Sequence, residues 1–69
     1  MKIKYKVGDT VRFQLVDKEV EGEIVEERGP IGRNGQMVYR VAVDFKYAEE
    51  PMYYNLEESS IEPAHVVSH

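Results

Sequence analysis

The chain has 69 residues, no cysteine and a formal net charge of -4. A chain this short supports a single core and buries only about 60% of the surface its unfolded form exposes, and without thiols neither a disulfide nor a thiolate metal site can reinforce it. The negative balance disfavours sequence-independent attraction to phosphate. No apolar run approaches bilayer-spanning length and no apolar signal core follows Met1-Lys2-Ile3-Lys4-Tyr5-Lys6, so a cytoplasmic protein is expected.

Residues 1–6 read as an extended N-terminal segment, 7–63 as one domain and 64–69 as a flexible tail. Val7-Gly8-Asp9-Thr10 carries the Gly-Asp chemistry of a turn into the first strand. In Val11-Arg12-Phe13-Gln14-Leu15 apolar and polar residues alternate, which predicts a half-buried strand with Val11, Phe13 and Leu15 inward. Asp17-Lys18-Glu19 predicts a tight reversal, and Val20, Gly22 and Ile24 then share the buried face of a second strand whose Glu21 and Glu23 meet solvent. Gly22, with no side chain to pack in mid-strand, predicts a bulge or a sharp bend there.

Gly29-Pro30-Ile31-Gly32-Arg33-Asn34-Gly35 is a loop, its Asn-Gly pair favouring a left-handed turn. Met37 to Phe45 predicts the longest strand, with Met37, Tyr39, Val41, Val43 and Phe45 on one face. After Glu49-Glu50-Pro51, the segment Met52-Tyr53-Tyr54-Asn55-Leu56 predicts a fourth strand with Met52, Tyr54 and Leu56 inward. Glu57-Glu58-Ser59-Ser60 suits one turn of 3₁₀ helix before a short closing strand, Ile61-Glu62, ended by Pro63. No helical spacing is sustained, so the expected fold is all-β: a five-stranded, partly open barrel, closed enough to remove most exposed strand edges.

The order of these features resembles small SH3-like barrels of the KOW, Tudor and CarD-type group. The resemblance is carried by Val7-Gly8-Asp9-Thr10-Val11, Val20-Glu21-Gly22-Glu23-Ile24-Val25, Tyr39-Arg40-Val41 and the stretch from Leu56 to Ile61, and it spans residues 5 to 63. The fuller string with Glu26-Glu27-Arg28-Gly29-Pro30-Ile31-Gly32 is similar to small bacterial proteins of this fold and implies no activity. Members of the group bind RNA, DNA, methylated side chains, RNA polymerase or ribosomal proteins. This chain departs from the basic character of KOW-type RNA binders, and it has no tryptophan for an aromatic cage of the Tudor kind.

Charge runs in blocks: the first 18 residues are net basic, 19–28 hold five glutamates against Arg28, 29–46 are mildly basic and 47–69 carry five glutamates with no Lys or Arg. Pairing of neighbouring strands cancels much of this. Two surfaces stand out as binding candidates. One joins the glycine-rich loop, through Arg28, Ile31, Arg33 and Asn34, to Tyr47 and Tyr53. Loop amides and arginines of this kind hold anionic groups, although the loop also suits a plain hairpin connection and lacks the Gly-Lys-Ser/Thr ending of a nucleotide site. Alternation assigns Phe13, Tyr39, Tyr54 and Phe45 to the core and leaves Tyr5, Tyr47 and Tyr53 for exposure, where rings bury large area at low entropy cost. The second surface is a basic face of Lys2, Lys4, Lys6, Arg12, Arg40 and Lys46, which would take nucleic acid if these residues converge.

Adjacent carboxylates such as Glu26-Glu27 point to opposite faces of a strand and form no acid–base dyad, and no nucleophile, cofactor or metal-ligand pattern is present; His65 and His69 lie in the tail. The expectation is a non-catalytic binding module without cofactor, a protein–protein adaptor or regulatory accessory subunit, with nucleic-acid binding as the alternative.

Overall fold

The computed structural model describes residues 5–64; Lys2, Lys4 and the tail histidines lie outside them. Its elements are β1 (Thr10–Leu15), β2 (Lys18–Gly29), a 3₁₀ turn (Arg33–Gly35), β3 (Val38–Val43), β4 (Met52–Glu57), a second 3₁₀ turn (Glu58–Ser60) and β5 (Ile61–Pro63). The five strands form one antiparallel sheet in the order β4-β3-β2-β1-β5, which is not closed. The all-β expectation and the 3₁₀ turn before the last strand hold. Among the described residues no helix is long and apolar enough to cross a membrane.

The first turn forms as its residues dictate. Gly8 takes φ +101°, the Asp9 amide donates to the Lys6 carbonyl at 2.9 Å, and the Lys6 amide donates to the Asp9 carboxylate at 2.9 Å. Gly8 and Ile24 then join the entry segment to β2 through amide–carbonyl bonds of 2.8 and 2.9 Å.

The longest strand is β2, with 12 residues, rather than β3. It serves two partners in succession: Lys18 to Glu23 pair with β1, and Glu23 to Gly29 pair with β3. Its irregularities fall at Val25 and Arg28, not at Gly22. The need for glycine at 22 is steric instead. A Cβ there would lie 2.6 Å from Cγ1 of Val41, 2.7 Å from the Ala42 carbonyl oxygen and 3.0 Å from Cγ2 of Val43. The missing side chain is the space those valines fill.

Val11, Phe13, Ile24, Tyr39, Val41, Val43 and Ile61 form the buried core, with Leu15, Val20, Met37, Phe45, Tyr54 and Leu56 packed against it. Tyr5 joins them, only 7% exposed, which corrects the expectation that its ring is free. Its ring meets that of Tyr39 edge-on at 5.6 Å, its hydroxyl donates to the Ile61 carbonyl at 3.3 Å, and its amide donates to the Tyr39 hydroxyl at 3.2 Å. Period-two patterning does not extend to a residue that enters the core from outside any strand. Met52 is corrected in the other direction: it starts an edge strand beyond the core and is exposed.

Two outcomes follow. Gly22→Ala forces a methyl group into occupied space and lowers stability by about 3 kcal/mol in urea unfolding. Burial, then Tyr39 and the nearby carboxylates of Glu62, Glu58 and Asp9, raise the Tyr5 hydroxyl above its ordinary value of 10.0. The folded state therefore keeps this proton after the unfolded chain has lost it. The stabilisation is complete below about pH 10 and is lost as pH rises towards the folded value; in alkaline unfolding, Tyr5→Phe flattens that slope.

Candidate functional site

The glycine-rich loop is tied down by carboxylates of its own chain. The Arg33 amide donates to Oε2 of Glu57 at 2.6 Å, the Met37 amide to Oε1 of Glu58 at 3.1 Å, and the Ser59 amide to the Gln36 side-chain oxygen at 3.0 Å. Asn34 adopts φ 57°, the left-handed geometry its Asn-Gly pair favours. The amide most suited to an external anion thus already holds Glu57. Arg28 pairs with Glu26 at 3.3 Å, and Ile31 is exposed at the loop's rim.

The expected partner surface does not come together as one patch. The loop sits where Val38 pairs with Glu57, and Tyr47 lies beyond the opposite end of the β3–β4 pair, where Val43 faces Met52. Five strand steps, about 17 Å, separate those ends. Tyr53 stands on the outer sheet face, its ring 4.5 Å beneath the Arg40 guanidinium.

The basic residues are likewise dispersed. Arg12 on β1 pairs with Glu62 at 3.4 Å and with Glu19 at 4.0 Å, and Arg40 on β3 approaches Glu26 at 3.9 Å. The outer face of β2 runs between these arginines and presents Glu21 and Glu23, which with Asp44, Pro51 and Tyr53 line an open groove of about 460 Å³. Lys6 lies in the turn before β1 and Lys46 in the turn after β3. Among the described residues, no group of three or more His, Cys, Asp or Glu is placed to hold a metal ion.

A different surface is apolar and open. Leu15 and Val16 at the β1–β2 reversal, Phe45, Tyr47 and Ala48 after β3, and Met52 and Tyr54 of β4 line a groove of about 450 Å³, with Asp17 and Lys18 as its charged members. Tyr47 is 85% exposed and stacks on Phe45, with ring centroids 5.4 Å apart and planes 20° from parallel. Leu15 pairs with Lys18, so the reversal is the two-residue loop Val16-Asp17 rather than Asp17-Lys18-Glu19. Val16 is 92% exposed with φ 60°. This is a left-handed conformation that a β-branched side chain resists, at a turn position usually filled by glycine. Of this surface, sequence reasoning found Tyr47 and missed Val16 and Met52. The available signal was Leu15-Val16, where two consecutive apolar residues break the alternation just before a turn.

Comparison with protein-family models finds no matching family, and comparisons with curated proteins and with solved structures find no match.

Replacing Val16 by glycine relieves the backbone conformation. Val16→Gly is expected to raise stability by about 1 kcal/mol, strain relief exceeding the added chain entropy, as read by the midpoint of chemical unfolding.

Proposed function

We propose that this chain is a non-catalytic binding module, a protein–protein adaptor or regulatory accessory subunit, built as a partly open SH3-like barrel and acting in the cytoplasm. The barrel reading is supported by the consecutive antiparallel pairing of β1 to β4 with β5 returning to the edge of β1, by the long β2 shared between β1 and β3, and by the 3₁₀ turn that leads into β5.

The observation that carries the binding reading is Val16. A solvent-exposed valine held at positive φ lowers the stability of the isolated fold and contributes nothing to its core. Beside it, Tyr47 and Met52 expose further apolar surface across the same groove. An aromatic and two aliphatic side chains around a concavity are what an apolar anchor of a partner protein buries, and such anchors dominate interface energetics. A protein partner is favoured over nucleic acid because Arg12 and Arg40 are each engaged by carboxylates and have Glu21 and Glu23 between them.

Crosslinked capture from cells that make the chain tests the reading, comparing the natural sequence with Val16→Gly/Tyr47→Ser. The variant is expected to stay folded and to lose one specific protein partner by at least tenfold. Undiminished capture of that partner rejects the groove, and salt-sensitive binding of RNA or DNA by the isolated chain favours the nucleic-acid alternative.

A further inference from the structure

The two edges of the sheet are built differently. At one edge β5 has only three residues and ends in Pro63, the short and proline-blunted form by which proteins block unwanted strand pairing. At the other edge β4 runs for six residues in unbroken register with β3, from Val43 opposite Met52 to Val38 opposite Glu57, with no lysine, proline or bulge inside it. No strand covers its far side among the described residues. Its sequence, Met52-Tyr53-Tyr54-Asn55-Leu56-Glu57, is aromatic and suited to pairing.

The direction of the free backbone groups follows from the ladder. The Glu58 amide donates to the Met37 carbonyl at 2.9 Å, so these two residues face each other at a hydrogen-bonded position. Alternation then turns the amides and carbonyls of Met52, Tyr54 and Leu56 towards β3, and those of Tyr53, Asn55 and Glu57 towards the open side. The edge presents three amides and three carbonyls at strand spacing.

Charge selects what pairs with it. Glu49 and Glu50, both exposed, precede the strand; Glu57 and Glu58 close it and keep their negative charge while accepting the Arg33 and Met37 amides; and no basic residue lies within it. An antiparallel pairing of two copies brings the Glu49–Glu50 end of one strand alongside the Glu57–Glu58 end of the other, and this like-charge approach disfavours self-association. A strand with Lys or Arg near both ends meets opposite charge at each.

We infer that the β4 edge is a strand-addition site for an extended segment of another protein that carries basic residues at both ends of a β-prone stretch. The added strand supplies main-chain hydrogen bonds to Tyr53, Asn55 and Glu57, and its terminal cations meet Glu49 and Glu50 at one end and the Glu57–Glu58 side at the other. This inference rests on the reading of the chain as a protein-binding module, but uses a surface separate from the Val16–Tyr47 groove.

The probe is a nonapeptide of alternating Thr and Val with two lysines at each end, titrated against the full chain and followed by amide hydrogen exchange. Exchange at Tyr53, Asn55 and Glu57 is expected to slow at least tenfold, while the same peptide ended by glutamates leaves it unchanged. Asn55→Pro removes an amide that β3 does not use, so the protein keeps its fold and loses the peptide. Should that variant unfold, Glu49→Lys/Glu50→Lys supplies the independent test, weakening the lysine peptide at least threefold and strengthening the glutamate one. Slow exchange of the three amides in the free protein overturns the inference, because the edge is then already covered by this chain or by a second copy. Equal binding of both peptides, or peptide contact confined to Val16 and Tyr47, overturns it as well. Partner capture that depends on Val16 and Tyr47 but is unchanged by Asn55→Pro, together with no response to the peptide, rejects the edge and leaves the groove reading standing.

Discussion

The close approach of β3 over Gly22 sets the geometry on which the other strands depend. Val41 and Val43 lie where any side chain at 22 would stand, the nearest methyl carbon being 2.6 Å from the position of a Cβ. One residue further on, β2 passes from β1 to β3. A single strand thereby joins both halves of the sheet, and Ile24, fully buried just after the crossover, anchors the core between Val11 and Val41. In a chain of 69 residues with no disulfide, this packing does the work that a cross-link does in other small domains.

The acidic residues divide into two populations with different consequences. Glu57 and Glu58 turn inward along the chain, accept backbone amides and fix the glycine-rich loop to the end of β4. Glu19, Glu26 and Glu62 meet arginines across or along the strands. These exposed pairs contribute little stability, on the order of 0 to 1 kcal/mol each, but they neutralise the cations that a phosphate backbone would need. Glu21, Glu23 and Asp44 are left lining the outer groove. The distribution of partners, more than the net charge, shapes which ligands the surface suits.

The apolar side chains are likewise divided between the core and the surface. The core takes Phe13, Tyr39 and Tyr5, and Phe45 and Tyr54 are packed against it. Of the large apolar side chains left exposed, Val16, Tyr47 and Met52 gather at one end of the sheet, where the β1–β2 reversal faces the connection between β3 and β4, whereas Val25 and Tyr53 lie on the outer face and Ile31 on the glycine-rich loop. The opposite end is occupied by hydrogen bonds between the loop and the second 3₁₀ turn. One end of the molecule is held by polar contacts within the chain, and the other is open and apolar.

Strand identity was legible in the sequence because alternation and turn residues are local signals. Val11-Phe13-Leu15, Val41-Val43 and the punctuation at Gly8, Pro30, Asn34 and Pro63 place four of the five strands to within a few residues, and the 3₁₀ turn before Ile61 as well. The length of β2 was not legible, since Glu26, Glu27 and Arg28 look like a polar connection until β3 pairs with them through two irregular steps. Nor was the burial of Tyr5, which depends on Tyr39 and Ile61, 34 and 56 residues away. Of the candidate site residues, Tyr47 and Tyr53 were recognisable as surplus to the core, but alternation says nothing about which of them is near Arg33 or Val16. By itself the sequence determined most of the inward-facing positions along the strands, because these follow from a period of two; Val38, buried beside Tyr39, and Met52, exposed at the sheet edge, depart from it. Only the tertiary structure decided which strands pair, which glutamates become hydrogen-bond acceptors and which apolar side chains share a groove, because those are contacts between segments distant in the chain.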